Sequence, residues 1–304
     1  MLSQETVLQA RTANLPEYLR ANGRHLVREG RQFRVKGTSG LIVTGNCWYD
    51  HSKQQGGNSL DYAIQVEGMK FKDAVNALRQ YSSSACCDAS CASQPSGHEA
   101  FKLPPKNKSN KRAISYLVKT RGIEYDFLRD HVINERIYES RETHNVDFTG
   151  IDHQTGEARY AFQRSSFPKS RIMFETRGSD KRHSFSLLGL SSTLFVFESV
   201  IDLLSYMSME PGYIHSDAFW LSLGGLSGLA LDKILCNWCG LDNIIFCLDN
   251  DSAADEAYSK LGARYVSYGY SVSRHTPLSK DWNMQLLQYG YCFPAPPVPW
   301  GVIP

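Results

Sequence analysis

Hydrophobic and polar residues follow distinct patterns along this chain. In its C-terminal third, continuous apolar runs at 194–197 and 244–248 are each followed by a segment in which apolar residues recur at helical spacing. Such runs are typical of parallel strands that are buried on both faces of a sheet. The pattern therefore predicts an α/β fold in which helices flank a central parallel sheet.

The first eighty residues carry shorter elements and predict a small α+β unit. Its last two helices have apolar residues at helical spacing. The expected elements are a helix (6–22), two strands (32–36 and 41–44) and two further helices (59–66 and 72–78).

A change of composition separates this unit from the rest of the chain. Residues 82–110 are rich in Ser, Ala, Cys, Pro and Lys, which is typical of a linker. A helix follows, "AISYLVKTRG", and then a β-rich stretch with a hairpin expected to turn at 153–156. The predicted division is a unit at 1–81, a linker at 82–110, a β-rich subdomain at 111–190, an α/β domain at 191–290 and a tail at 291–304.

Composition narrows the class of protein. The chain has 304 residues, of which 42% are hydrophobic, so it can bury a sizeable core. No run of 18 apolar residues and no signal peptide is found, so we expect a cytoplasmic protein without a membrane partner. Eight cysteines in so long a chain are too few for a disulfide scaffold, and thiols are expected in that compartment.

Acidic residues follow the apolar runs. Glu198 comes directly after one run, and Asp249 and Asp251 come directly after the other. Because parallel strands end at the same edge of a sheet, these carboxylates are expected to converge. Oxygen ligands of this kind suit Mg²⁺ or Mn²⁺ and a phosphoryl-transfer reaction. The alternative is that each aspartate is a turn residue or a helix cap.

The order of these pieces resembles a Toprim domain, the catalytic module of bacterial primases, topoisomerases and some nucleases. That family has a strand ending in Glu, a Gly-containing turn after the next strand, and a strand ending in D-x-D. "SKDWN" also matches the Lys-Asp element that follows in primase-type members. The resemblance implies that Glu198, Asp249 and Asp251 bind metal, with Asp202, Lys280 and Asp281 in support.

This sequence departs from the family pattern at two positions. Ser199 follows the glutamate where the family usually has Gly, and Ala253-Ala254 replaces the usual Ala-Gly. Both glycines would relax the backbone near the site. Their replacement affects the loops and removes no metal ligand.

The resemblance to bacterial primases extends upstream. "AISYLVKTRGI" resembles the start of the primase polymerase core, and residues 1–81 resemble the primase zinc-binding domain without its metal. Only Cys47 and His51 are present where that domain has four ligands. The resemblance therefore implies no zinc, with packing by Trp48, Tyr49, Leu60 and Phe71 in its place. This arrangement resembles that of primase-like proteins carried on plasmids and integrative elements of Gram-positive bacteria.

Basic residues are concentrated in patches although the net charge is only +2. Six Lys or Arg lie within residues 20–36 with one acid, and seven lie between Glu99 and Glu124 with none. Such patches are typical of nucleic-acid binding, and a solubilising surface is the alternative. The expected single-stranded DNA contacts are Arg24, Arg28, Arg31, Arg34, Lys36, Trp48, Lys181 and Arg182.

The predicted function is that of a primase-like nucleotidyltransferase, which uses nucleoside triphosphates on single-stranded DNA. A metal-dependent nuclease with the same carboxylates and a non-catalytic single-stranded DNA-binding module remain alternatives. Recruitment is expected through another protein, such as a helicase or a relaxase acting in trans. Metal binding by Cys236 and Cys239, or by the linker residues Cys86, Cys87, Cys91 and His98, is the weaker interpretation of the cysteines.

Overall fold

The computed structural model describes most of the chain, and its mixed α/β architecture confirms the predicted fold class. The chain divides into two compact units, of which unit 1 comprises 1–96, 231–242 and 263–270, and unit 2 comprises 97–230, 243–262 and 271–304. The predicted boundaries at 81, 110, 190 and 290 stay predictions. The described residues are 3–30, 32–53, 55–82, 101–126, 128–129, 136–167, 169–210, 217–290 and 296–302.

Unit 1 contains a five-stranded antiparallel sheet whose strands follow one another in chain order. The strands are β1 (Leu26–Glu29), β2 (Gln32–Val35), β3 (Leu41–Thr44), β4 (Cys47–Asp50) and β5 (Gln55–Asn58), and the helices are α1 (Gln4–Arg11), α2 (Leu15–Ala21), α3 (Ser59–Gln65) and α4 (Phe71–Leu78).

The single helix predicted over 6–22 is wrong, because two helices occupy that segment. Asn14 caps α2, and its side-chain oxygen accepts a hydrogen bond from the Glu17 amide at 3.2 Å. Pro16 follows in the first turn, where its missing N–H costs nothing. An Asn-x-Pro sequence of this kind starts a new helix rather than continuing the old one.

The core of unit 1 contains the aromatic and aliphatic residues expected there. Trp48 and Leu60 are buried, and Phe71 packs against the same cluster, whereas Tyr49 is half-buried. Trp48 meets Tyr62 edge to face with 5.9 Å between ring centroids. Side-chain packing therefore fills this unit.

Cys47 and Cys236 form a disulfide with their Cα atoms 6.0 Å apart. The sequence prediction of free thiols does not hold for this pair. Folding brings β4 and residue 236 together across a sequence separation of 189, which no local spacing could indicate. Cys239 and Cys247 are free and buried.

Unit 2 contains a six-stranded sheet in the order β10-β12-β11-β13-β14-β15, in which the four central strands are parallel. The expected extended tail contributes the antiparallel edge strand β15. The strands are β10 (Ser186–Leu187), β11 (Thr193–Phe197), β12 (Phe219–Ser222), β13 (Asn243–Cys247), β14 (Ser271–Arg274) and β15 (Val298–Pro299). The helices that alternate with them along the chain are α6 (Val200–Met209), α7 (Leu229–Asn237), α8 (Ser252–Ser267) and α9 (Trp282–Tyr289). Of these, α7 from residue 231 and α8 from residue 263 belong to unit 1.

A second, four-stranded antiparallel sheet lies upstream in unit 2. The predicted hairpin is confirmed, since its two strands are joined by a turn over 152–157. The elements are α5 (Lys111–Ser115), which continues as one π-helical segment (Tyr116–Thr120), β6 (Ile137–Glu139), β7 (Val146–Ile151), β8 (Ala158–Arg164) and β9 (Met173–Glu175). Within the described ranges, no helix has the length and apolar character needed to cross a membrane.

Candidate active site

The ends of β11 and β13 place the predicted carboxylates at one edge of the parallel sheet. Phe197 pairs with Cys247 at the last position of both strands. Glu198 therefore leaves the sheet directly beside the segment that leads to Asp249. This is the edge at which open α/β sheets bind ligands.

Asp249 is the most perturbed carboxylate at this edge. Its Oδ1 is inaccessible to solvent and, among the described residues, has no hydrogen-bond partner. Burial, followed by repulsion from other carboxylates, raises its pKa to about 8. The carboxylates that contribute are Asp202, Glu198, Asp281 and Asp251.

Asp202 lies behind the sheet edge on α6 and is 6% exposed. The Ser199 hydroxyl donates to its Oδ2 at 2.5 Å, and the Asn283 amide donates to its Oδ1 at 3.3 Å. Burial and the nearby Asp281 raise its pKa to about 6. Ser199, at the position where the Toprim family usually has Gly, thus caps α6 and orients this carboxylate.

Two of the aspartates also cap helices, and for Asp251 this is the role that the alternative interpretation proposed. Asp251 Oδ1 accepts from the Ala254 amide at 3.0 Å, and Asp281 Oδ1 accepts from the Met284 amide at 2.6 Å. Each carboxylate has a second oxygen, so capping and ligand binding are compatible. Capping fixes the direction of both side chains.

Glu198 stands between opposite charges. Burial and the charge of Asp251 raise its pKa, whereas the nearby Lys280 lowers it. Each of the six predicted catalytic residues therefore interacts electrostatically with at least one other member of the set, and Lys280 does so with Glu198. The set is Glu198, Asp202, Asp249, Asp251, Lys280 and Asp281.

The donor chemistry of this edge fits a hard divalent cation, since it offers carboxylate oxygens and includes one buried oxygen without a partner. Within the described part of the chain, however, no three His, Cys, Asp or Glu side chains are arranged to hold a metal ion together. Like charges repel, so a cation would have to offset that repulsion before the carboxylates could converge. Glu198, Asp249 and Asp251 are the residues that would hold it.

Sequence reasoning missed Arg121 and Asn283 as members of this region. Arg121 Nη1 donates to Asn283 Oδ1 at 2.9 Å, and Asn283 Nδ2 donates to Ser205 Oγ at 2.9 Å. Asn283 thereby connects Asp202 to the Arg-Gly that ends the π-helical segment. Both residues lie in segments that the family resemblance had singled out, but their pairing depends on a contact 162 residues apart.

A glycine turn follows β12 beside the carboxylates. Gly224 and Gly225 both have positive φ, at 64° and 113°, which other residues rarely adopt. The Gly225 amide donates to the Glu198 carbonyl oxygen at 3.0 Å, which ties the turn to the site. Lys181 lies near the turn, and its Nζ forms an ion pair with Glu175 at 2.8 Å.

The predicted nucleic-acid contacts are divided between the two units. In unit 1, the side chains of Arg24, Arg28, Arg34 and Lys36 are all exposed. Arg34 differs from the others in that its guanidinium group forms a bidentate pair with Glu29, with bonds of 2.7 and 2.9 Å. Arg31 lies outside the described residues.

Two of the predicted contacts are occupied inside the protein. Trp48 is 2% exposed, so it cannot stack on a base while the unit stays folded. Arg182 Nη2 donates to Asp180 Oδ2 at 2.6 Å and its Nε to Oδ1 at 2.9 Å, with both side chains largely buried. The prediction that Trp48 contacts DNA is therefore wrong. The Arg182 side chain is already paired with Asp180 inside the protein.

Comparison with known families identifies one domain in this part of the chain. Residues 195–286 match the family model described as Toprim-like. The chain carries a Toprim-like domain. The upstream residues 115–191 match a family described as a protein of unknown function, DUF3991. The Toprim-like match thus contains every residue of the predicted catalytic set.

Solved primase structures are similar to this chain at low identity, and no curated protein sequence matches it. The Aquifex aeolicus primase, with its zinc-binding and RNA polymerase domains, is 13% identical with a TM-score of 0.40, and covers 95% of this chain and 83% of its own. The bacteriophage T7 primase fragment is 13% identical with a TM-score of 0.43, over 83% and 90%. The RNA polymerase domain of the Mycobacterium tuberculosis primase is 14% identical with a TM-score of 0.41, over 60% and 74%. At such identities the similarity concerns the fold alone.

The raised pKa of Asp249 predicts that metal binding depends on pH. A carboxylate whose pKa is about 8 holds a proton at pH 6 and must release it to bind a cation. The apparent affinity for Mn²⁺ should therefore rise by up to about tenfold per pH unit between pH 6 and 8, and level off above. Titration calorimetry checks this, with Asp249→Asn as the control, which should bind more weakly and without this pH dependence. An equally steep dependence in the variant would show that another group titrates.

We expect the purified chain to contain no stoichiometric zinc. In unit 1, Cys47 forms a disulfide with Cys236. Among the described residues, His51 belongs to no group of three His, Cys, Asp or Glu side chains that could hold a metal ion. The linker residues Cys86, Cys87, Cys91 and His98 lie outside the described residues. Elemental analysis after dialysis, with and without a reductant, checks this prediction. About one zinc per chain would contradict it, and its appearance only after reduction would direct attention to Cys47, Cys236 and Cys239.

Proposed function

We propose that this chain is a primase-like nucleotidyltransferase of a plasmid or integrative element, which acts in the cytoplasm on single-stranded DNA. The observation that carries the proposal is the unpartnered, buried Oδ1 of Asp249 among four further acidic residues at the edge of a Toprim-like domain. A carboxylate kept in so unfavourable an environment suits a functional site better than a structural one.

The residues around the site have separate tasks in this proposal. Glu198, Asp249 and Asp251 would hold Mg²⁺ or Mn²⁺, which would activate the attacking hydroxyl and neutralise charge on the triphosphate. Asp202, held by Ser199 and Asn283, orients the site from behind. Lys280 offsets part of the repulsion that Glu198 feels from Asp251.

The Gly224-Gly225 turn and Lys181 offer a place for triphosphate oxygens. The turn brings backbone close to the site without a side chain, and Lys181 has its charge nearby. Its ion pair with Glu175 is 2.8 Å long and partly exposed, so an anionic ligand can compete for the ammonium group. A helicase or a relaxase acting in trans would recruit the chain to its template.

The test is a synthesis reaction with single-stranded DNA, nucleoside triphosphates and Mn²⁺. We expect short oligonucleotides whose sequence is complementary to the template. Cleaved template without new product would favour the nuclease instead. Binding without turnover in any divalent metal would favour the non-catalytic module, for which the absence of a preassembled metal group among the described residues is the supporting observation.

A further inference from the structure

A groove of about 520 Å³ lies along α5 and the π-helical segment in unit 2. Three of its lining residues are cations, Lys111, Arg112 and Lys119, and none of the lining residues that the structure describes is acidic. Lys111 lies four positions before Ser115 and Lys119 lies four positions after it, so the three residues lie on one face of the helical segment. Ser115, Tyr116, Thr120 and Ser166 complete the lining.

An aromatic residue lies beside these cations. The guanidinium carbon of Arg112 is 4.4 Å from the centre of the Phe167 ring. Phe167 is nevertheless 50% exposed, so part of the ring is available to a ligand. A cation over one part of a ring and open space elsewhere is an arrangement on which a nucleic-acid base can stack.

The connection from β8 to β9 and the start of β9 carry further exposed apolar and basic side chains. Ile172, Met173 and Phe174 are exposed by 61%, 58% and 43%, which is unusual for three successive large apolar residues. Lys169 and Arg171 in this connection are also exposed. Exposed basic and apolar side chains therefore follow Phe167 in the chain.

An acidic residue, Glu139, lies close to the start of α5. Glu139 is 4% exposed, and its Oε2 accepts the Arg112 backbone amide at 3.1 Å. Its Oε1 is bonded to His144 at 2.6 Å and accepts from Asn107 at 2.8 Å. Both carboxylate oxygens are thus engaged by groups other than the side chains of Lys111, Arg112 and Lys119.

We infer that this groove, together with Phe167 beside it, holds a single strand of nucleic acid, with phosphates on Lys111 and Lys119 and a base stacked on Phe167. The inference rests on the proposed function, since it supplies that function with a template track outside the carboxylate site. Cations alone would also attract an acidic peptide, but the exposed Phe167 face favours an unpaired base, which every strand position offers. A duplex keeps its bases stacked inside and could not use the ring.

Fluorescence anisotropy with the full chain and labelled oligo(dT) tests the inference. EDTA is present and nucleotides are absent, so no chemistry at the carboxylate site is required. The double variant Lys111→Glu/Lys119→Glu should bind at least about tenfold more weakly, and its plot of log affinity against log salt should be shallower by about 1.4, or about 0.7 for each lost contact. Lys260→Glu is the matched control, an exposed lysine on α8 whose reversal should change affinity less than about twofold.

Phe167 separates stacking from charge. Phe167→Ala should weaken oligo(dT) binding by at least about fivefold while leaving the salt dependence unchanged, and Phe167→Trp should restore it. Oligo(U) should bind to the same groove and respond to the same variants, because the chemistry is shared. Duplex DNA of equal length should bind more weakly and be insensitive to Phe167→Ala.

Several results would overturn the inference. The first is an affinity for oligo(dT) in the lysine double variant that equals that of the wild type. The second is a wild type that does not bind oligo(dT). The third is binding of polyglutamate that depends on the two lysines, together with oligo(dT) binding that Phe167→Ala does not change. The outcome is independent of the proposed reaction. If the groove variants lose DNA binding but keep their affinity for Mn²⁺, the groove inference is supported even if no synthesis is found. If Asp251→Asn stops synthesis while the groove variants bind DNA normally, the groove inference is wrong and the proposed reaction is not.

Discussion

Asp249→Asn and Asp251→Asn are each expected to abolish metal-dependent oligonucleotide synthesis. Asparagine keeps the size of the side chain but removes the charge that a divalent cation needs. Changes that act only through a neighbour of a metal ligand cost about 10–100-fold, so removal of a ligand should cost more than about 100-fold in rate. Initial rates with single-stranded DNA, nucleoside triphosphates and Mn²⁺ are the measurement.

The two variants should remain folded, which makes their loss of activity interpretable. The folded-state pKa of Asp249 is raised to about 8, so its ionisation destabilises the protein as pH rises from about 4 to 8. Asp249→Asn removes this cost and should be more stable than the wild type at pH 8. Asn is also a good helix cap, so Asp251→Asn keeps the bond to the Ala254 amide.

Asp255→Asn is the matched control for both variants. Asp255 lies on α8 beyond the site, with its carboxylate 62% exposed and paired with Arg274. It should retain synthesis within about twofold, since surface ion pairs contribute little. Full synthesis by Asp249→Asn and Asp251→Asn would mean that these aspartates only shape the loop and cap α8. DNA affinity should be unchanged in all three variants, because the loss of a negative charge cannot weaken binding to phosphates.

Trp282→Ala is expected to lower the free energy of unfolding of the chain by about 3–5 kcal/mol. Trp282 is fully buried at the start of α9, and its indole Nε1 donates to the Cys247 carbonyl oxygen at 2.9 Å. Its ring contacts Tyr206 and His275, with centroids 4.7 and 4.9 Å away. The substitution leaves a large cavity and an unpaired carbonyl at the end of β13, directly before the aspartates.

Urea unfolding followed by circular dichroism measures this loss. Met284→Ala, on the same helix and 41% exposed, is the control and should cost less than about 1 kcal/mol. Trp282→Phe should be intermediate, because it keeps much of the packing and loses only the hydrogen bond and part of the volume. A loss below about 1 kcal/mol for Trp282→Ala would show that α9 does not anchor the end of β13. Mn²⁺ affinity should fall in parallel with stability if that anchor positions Asp249.

Local patterns predicted the parallel sheet well, because burial on both faces leaves a plain signal in the sequence. The run at 244–248 became β13, and the run at 194–197 became most of β11. The hairpin at 153–156 was equally visible, since a turn needs particular residues. The helix predicted over 6–22 was wrong because the Asn14 cap and Pro16 near its centre start a second helix.

The candidate site was predictable where its residues follow strands and unpredictable where they meet across the fold. Glu198, Asp249 and Asp251 could be located because parallel strands end together. The bond between Arg121 and Asn283 joins segments 162 residues apart, and nothing in either segment specifies it. The same holds for Trp48, whose aromatic ring suits base stacking as well as a core until its burial is known.

The sequence by itself determined which segments are strands and helices in the Toprim-like domain, and which carboxylates stand at the strand ends, because backbone geometry and burial act over a few residues. Only the tertiary structure decided which of those groups are buried, paired or exposed. It left Asp249 Oδ1 without a partner, paired Cys47 with Cys236, and kept Phe167 accessible beside Arg112. Each of these depends on contacts between distant segments, whose free energies are set by packing rather than by local spacing.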